Sequence, residues 1–567
     1  MSPPERRLRP FAMLFAVAGL WPCMAFSEAP DRLPVFTERR EAAGIAFKHR
    51  ANPSADKYLV ETMGGGVAVF DFNNDSRLDI LFVNSGSLRK TERGVTIDRS
   101  ESASWNRLYE NEGGGAFSDV TEKSGLSGSG TAVYGMGVAT GDYDNDGLTD
   151  VLLTGFPEAR LYRNRGGGRF EDVTRGSGLV VPGWSVSAGF FDYDRDGLLD
   201  LFVTRYLDWD FSRHIECGKA VRVYCTPKRH QPVSNMLFHN DGDGAFSDVS
   251  ERSGVGRVLG KALGVAFHDY DADGWTDVVV ANDSVAQLLF RNNRDGAFTE
   301  LALESGLAYN DEGGSFSGMG VAFDDYNNDS RPDVLITNLA KELYALYRND
   351  GQGLFTYVTR SSYIGRITSL MSGWGTRFFD HDLDGRKDVF AAQSHVMDNV
   401  EVLDSALVYR QPPLMARNIG GKFEDVSASS GAAFRQDYAG RGAAFGDLDN
   451  DGDIDVVMAV LDAEPLLLYS DASQRGGHWL IVNPESKASN RPGPGAKIHI
   501  RDANGGEQWG YSTTAGSYLS ASDHRVHFGL GASDRLEWVR VEWPSGAQRE
   551  LKDVAADQIL AIEEPAP

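Results

Sequence analysis

After residue 27 the sequence holds no apolar run long enough to span a membrane as a helix, which excludes an integral helical anchor in that part of the chain. Basic residues are the minority charge, 56 Lys and Arg against 81 Asp and Glu, and they form no patch, so nucleic acid is excluded as a partner. A nucleophile motif, a phosphate-binding loop and a repeated histidine metal signature are all missing, so no enzyme class declares itself. Cysteine is nearly absent, with three residues at positions 23, 217 and 225.

The first of these, Cys23, sits in a segment that reads as a secretory signal. Arg6, Arg7 and Arg9 precede the apolar run Phe11 to Trp21, and Ala25-Phe26-Ser27 suits cleavage before Glu28. Export leaves Cys217 and Cys225 as one pair in an oxidising compartment, which predicts a disulfide. His214 and His230 extend the pair to an H-x2-C-x7-C-x4-H run with four zinc-type ligands. A seven-residue gap is not a usual zinc spacing, and export favours the bridge.

What is present is a repeat. A length of 567 residues exceeds one ordinary core, and a hydrophobic share of 41% with 11% aromatics is enough for a packed interior. Seven segments of the form D-x-[DN]-x-D-[GS]-x-x-D recur at a mean spacing near 63 residues, the size of one propeller blade. The first three place oxygens at Asp71, Asn73, Asp75 and Asp79, at Asp142, Asp144, Asp146 and Asp150, and at Asp192, Asp194, Asp196 and Asp200. The fourth and fifth use Asp269, Asp271, Asp273 and Asp277, then Asp325, Asn327, Asp329 and Asp333. The last two use Asp380, Asp382, Asp384 and Asp388, then Asp447, Asp449, Asp451 and Asp455.

Oxygens at positions one, three, five and nine, with the carbonyl of position seven, suit a large hard cation with flexible coordination, so the expected cofactor is calcium, up to seven ions. Glycine at position six permits the positive φ of a sharp turn. Loops one and five depart from the pattern, with Ser76 and Ser330 in place of glycine and Asn73 and Asn327 in place of a charge. A solvated Asp-rich turn is the bland alternative for one loop; sevenfold recurrence argues against it for the set. The ligand positions carry 26 carboxylates against a net charge of −25, so the acidity is mostly a ligand inventory and says little about a basic partner.

Small residues precede each loop, as in Gly135-Met-Gly-Val-Ala139, and an apolar run follows, as in Val151-Leu-Leu-Thr154, which gives a hairpin with the loop at its tip. A second hairpin follows in most repeats, such as Arg160-Leu-Tyr-Arg-Asn164 with Arg169-Phe-Glu-Asp-Val173, making four strands per repeat. That last strand type appears once too early, at Val35-Phe-Thr-Glu-Arg39, and is missing after Leu466-Leu-Leu-Tyr469. The N-terminus is therefore expected to complete the seventh blade and close the ring.

These loops resemble the FG-GAP or VCBS repeat family, whose members form seven-bladed propellers with calcium in inter-strand loops. Ser489-Asn-Arg-Pro-Gly-Pro-Gly-Ala496, Gly516-Ser-Tyr-Leu-Ser520, Val526-His-Phe-Gly-Leu-Gly531 and Val541-Glu-Trp-Pro-Ser-Gly546 resemble the ASPIC/UnbV domain. Together with the insertion around Tyr224-Cys225-Thr-Pro227, they make the whole chain similar to the cartilage acidic protein family. The resemblance implies extracellular calcium binding and adhesion or matrix interaction, with no established catalytic activity.

The expected architecture is all-β: a signal peptide over 1–27, a seven-bladed propeller over 28–473 and a small β-sandwich-like domain over 474–567. The expected protein is secreted or periplasmic, monomeric, and binds an extracellular protein or glycan. The alternative is an extracellular propeller enzyme acting on a glycan or small molecule. Its candidate groups are His395 with Asp398, or Arg205, Tyr206 and Asp208, although one His and one Asp beside a strand are more often hydrogen-bonding groups of loops than an acid and base pair.

Overall fold

The computed structural model describes residues 33–486 and 490–566; the signal segment and Cys23 lie outside them. Among the described residues, the repeat region holds seven antiparallel sheets that each carry a path of four strands, and the fourth also pairs a short strand at Phe316–Ser317. Blade two shows the pattern: Tyr134–Gly141 and Asp150–Phe156 form the first hairpin, Arg160–Asn164 and Phe170–Asp172 the second. In blade seven the outer strand is Thr37–Glu38, paired antiparallel with Leu466–Tyr469. The N-terminal segment thus completes the last blade as expected, which leaves no open seam between the ends of the repeat.

Two sets of side chains fasten blade to blade. The residue at position two of each of the first five acidic loops is aromatic and packs on a phenylalanine of the next blade's outer strand. The pairs are Phe72 with Phe170, Tyr143 with Phe246, Tyr193 with Phe298, Tyr270 with Phe355 and Tyr326 with Phe423. Such contacts contribute about 0.5–1.5 kcal/mol each beyond area burial. Leu448 takes this place in blade seven and shares a core with Phe117 of blade one, carrying the packing around the ring.

The C-terminal segment packs a three-stranded sheet on a four-stranded one. His478–Glu485 runs parallel to Gln558–Glu563 and antiparallel to Val526–Gly531; Lys497–Asp502 and Arg535–Glu542 lie at the centre of the other sheet. Leu480, Val482 and Phe528 face Ile498, Val539 and Val541 in one buried core. This is the sandwich-like unit that the alternation at Val539, Val541 and Trp543 suggests.

A loop of this unit enters the propeller axis. Ala521 exchanges backbone hydrogen bonds with Val67 and Val69, Ser517 exchanges two with Val321, and the Leu519 carbonyl accepts from Val138 N. Thr376 N donates to Ser517 Oγ at 3.2 Å, Leu519 N donates to Ser187 Oγ at 3.1 Å, and Asp523 N donates to Phe445 O at 3.0 Å. Six blades are hydrogen-bonded this way, and Ala515 packs on the core containing Phe267 of the remaining blade. Glycine is needed where the loop passes: a Cβ on Gly66 falls 2.4 Å from Leu519 O, and one on Gly442 falls 2.5 Å from Ser520 Oγ. The axis is filled by chain, so it is no open channel.

Candidate metal centres

All seven acidic loops share one backbone design. Position four has positive φ throughout, and position six has it whether glycine or, at Ser76 and Ser330, serine. This double left-handed turn points the N–H groups of positions five and six inward. In loop two, Asp142 Oδ1 accepts from Asp146 N at 3.1 Å and Oδ2 from Gly147 N at 2.7 Å. The same pair of bonds recurs in loops one, four, five, six and seven.

Position nine plays a different part. Its carboxylate is buried in every loop, and in every loop Oδ2 accepts from the N–H of position two while Oδ1 accepts from a third-strand N–H. That third-strand residue is asparagine in six blades and Ser470 in the seventh.

The structure brings positions one, three and five together in loops two, three and four, with carboxylate oxygens of each trio within 4.8 Å of one another. In loop three Asp194 and Asp200 also converge on His239, and in loop six Asp382 and Asp388 converge on His381. Cationic side chains lean on several rims. Arg163 pairs with Asp144 and Asp146, Arg294 with Asp273, and Arg77, Arg331 and Arg386 with the position-five aspartates of loops one, five and six.

The residues fit a divalent cation on two observations. Asp192 Oδ1 and Asp194 Oδ1 in loop three, and Asp382 Oδ1 in loop six, are buried oxygens with no hydrogen-bond donor among the described residues. Burial, with neighbouring carboxylates adding to it, pushes Asp79 up to about 8, Asp150 up to about 9 and Asp192 up to about 8. Clustered acids whose charge is this unwelcome are the donor set that a hard cation stabilises.

The third-strand asparagines were not assigned a role by the sequence. Each buried side chain donates to position eight of its own loop and to position two of the preceding blade's loop: Asn164 to Phe72 O, Asn240 to Tyr143 O, Asn292 to Tyr193 O, Asn349 to Tyr270 O and Asn418 to Tyr326 O. Asn111 reaches Leu448 O of blade seven at 2.9 Å, across the join. Position-four side chains link the loops in the other direction, as in Asn74 to Gly147 O, Asn145 to Gly197 O and Asn450 to Ser76 O. The acidic loops are thereby tied into a belt. Asparagine at the end of each Leu-Tyr-Arg-Asn type strand was the available signal.

The C-terminal unit sits on this belt. Lys497 pairs with Asp269, Trp509 Nε1 donates to Asp325 Oδ2 at 2.9 Å, and Arg491 N donates to Asn145 Oδ1 at 3.0 Å. His527 Nε2 donates to Gly452 O at 3.0 Å and Gly531 N to Leu383 O at 2.7 Å. Second-to-third strand connections emerge at the other end of the ring. There Cys217 and Cys225 form the disulfide, with Cα atoms 5.3 Å apart, so the zinc reading of His214 and His230 loses its thiolates.

The candidate catalytic groups do not assemble. His395 Nδ1 accepts from Met397 N at 3.0 Å, burial holds the ring down at about 4, and Asp398 pairs with Lys57 instead. Arg205 donates to Ser234 O and Asp208 pairs with Arg213, whereas the Tyr206 hydroxyl donates to Asp283 Oδ2 at 2.6 Å.

The FG-GAP-like repeat matches this chain over residues 71–153, 142–203, 223–280, 269–336 and 325–391, more than half of its length. The ASPIC and UnbV domain matches residues 486–567. Cartilage acidic protein 1 of Homo sapiens is 22% identical over 590 residues, spanning 99% of this chain and 79% of the relative. The Xenopus tropicalis protein of the same name is 22% identical over 565 residues, spanning 94% and 77%. Among solved structures, the BP39L lectin from Burkholderia pseudomallei is similar at 10% identity and a TM-score of 0.38, covering 72% of this chain and 99% of the lectin. At that TM-score the likeness has no bearing on what this chain binds. The chain belongs to the FG-GAP-like repeat family, with an ASPIC and UnbV domain joined to its propeller.

Proposed function

We propose that the protein is a calcium-ordered binding protein that works outside the cytoplasm, recognising an extracellular protein or glycan by its surface. The observation that carries the reading is the belt of seven acidic loops, with buried carboxylate oxygens in loops three and six that have no hydrogen-bond donor among the described residues. The residues that would hold the ions are those of positions one, three, five and nine, named above, with the carbonyl of position seven. Bound calcium supplies charge neutralisation and crosslinking of each loop, and ions so enclosed suit ordering better than water activation.

The rest of the work falls to the chain itself. The asparagine belt couples each loop to its neighbour, so order in one loop supports the next blade. The C-terminal unit covers this face and fills the axis, which leaves the opposite face for partners. That face carries the insertion held by Cys217 and Cys225, the three-stranded sheet of Leu207–Asp208, Gln231–Ser234 and Leu259–Gly260, and the hairpin Ser87–Thr91 with Gly94–Asp98. The signal-like N-terminus and the disulfide support export, and the relatives' name, cartilage acidic protein, suits an extracellular partner.

The test is an array of extracellular proteins and glycans probed with calcium present and after chelation. The reading expects partners bound only with calcium, and loss of binding when charge-reversal variants are placed on the opposite face. Binding that survives chelation, or redox or hydrolytic turnover in the same samples, contradicts it.

A further inference from the structure

On the face away from the acidic loops, a cavity of about 160 Å³ opens at the end of the propeller axis. Leu59, Met63, Met319, Trp374, Tyr206 and Tyr224 give it mainly apolar and aromatic walls, and all six are buried. Its size matches a cavity of roughly 150 Å³ that holds a benzene ring. The filled axis supplies its floor: Trp374 packs on Tyr518, their ring centroids 5.0 Å apart, so the pocket is blind.

Two carboxylates interrupt the apolar lining. Asp283 is 6% exposed and accepts from Tyr206 OH at 2.6 Å and Ser284 Oγ at 2.9 Å. Glu342 accepts from Ser317 N at 2.7 Å. Neither has an ion-pair partner among the described residues. Lys261 acts on Asp283 without pairing with it and donates to Pro227 O at 2.7 Å, and Lys228, which acts on Glu342 in the same way, stands exposed at the rim. Burial is the largest influence on both carboxyls and raises them. Ionised carboxylates at the wall disfavour an anion, and a wholly apolar guest leaves them without a directly paired cation.

We propose that this pocket binds a small organic ammonium ion, with an apolar body of about one aromatic ring against Met319, Tyr224 and Trp374 and its charged nitrogen on Asp283 and Glu342. The site is independent of the acidic loops, so calcium dependence of folding and ligand binding here are measured separately.

Isothermal titration of the calcium-loaded full chain with benzylamine, benzyl alcohol and benzoate tests it. Expected is saturable binding of one benzylamine per chain, with benzyl alcohol weaker by at least about tenfold and benzoate silent. Asp283→Asn and Glu342→Gln should each weaken benzylamine by about tenfold, and Met397→Trp, which fills the cavity, should abolish binding with the melting temperature retained. If Asp283→Asn fails to fold for want of its Tyr206 bond, Glu342→Gln and Met397→Trp carry the same decision. Equal affinity for benzyl alcohol, benzylamine binding unchanged in the folded variants, or no saturation up to roughly 10 mM benzylamine overturns the proposal.

Discussion

Buried asparagines tie each blade directly to the one before it. Asn164 is fully buried and gives its two amide protons to carbonyls of two different blades, Thr149 O at 3.1 Å and Phe72 O at 2.8 Å. Asn164→Ala leaves Phe72 O buried and Thr149 O part-buried without this donor, so the variant should lose about 1–3 kcal/mol in urea unfolding at saturating calcium. Asn145→Ala removes two bonds that are less buried, the one it gives to Gly197 O and the one it accepts from Arg491 N, and should lose only about 0.5–1.5 kcal/mol. Equal losses would mean that the buried third-strand asparagine bonds carry no more weight than the more exposed loop-to-loop ones. The sequence displays these residues plainly at a regular place in each repeat. Their role stays hidden because the partner of Asn164 lies 92 positions away, and such pairing is a property of the closed ring.

At the scale of the element, the loop that fills the axis and the disulfide-bound insertion differ in how they could be read. The insertion was legible: two cysteines eight positions apart, behind a segment that reads as an export signal, predict their own bridge, and the structure holds it. Removing it with Cys217→Ser and Cys225→Ser should cost roughly 2–3 kcal/mol locally in the chain-entropy account and open the insertion to proteases, mapped by mass spectrometry of limited digests. Digestion unchanged by the double substitution would contradict this. Gly516-Ser-Tyr-Leu-Ser520 was legible only as a family motif, because nothing in its own pattern says that it will bond to six blades. Tyr518 is fully buried and its hydroxyl donates to Met63 O at 2.9 Å. Tyr518→Ala should destabilise by about 3–5 kcal/mol and Tyr518→Phe by about 0.5–1.5 kcal/mol, with propeller and C-terminal unit melting together in calorimetry. Two separate transitions in the parent protein would show that the axis loop does not couple them.

For the whole molecule, the repeat period, the four strands and the N-terminal closure were readable, since each depends on spacing and alternation within one repeat. The placement of the C-terminal unit on the acidic face was not, because it rests on contacts such as Trp509 to Asp325 and Lys497 to Asp269 across more than a hundred residues. That placement bears on what the loops do: they carry contacts of the C-terminal unit as well as bonds between blades, and in the proposed reading recognition falls to the other face. If each loop binds with a dissociation constant of about 10–100 μM, millimolar calcium adds about 1.4–2.7 kcal/mol per site. Several such sites rival the whole stability of a domain, about 5–15 kcal/mol. The decisive measurement is therefore calcium content by elemental analysis after dialysis against millimolar calcium, paired with melting before and after chelation. The account predicts about five to seven ions per chain and a sharp fall in melting temperature on their removal; fewer than about three ions, or melting indifferent to chelation, would contradict it.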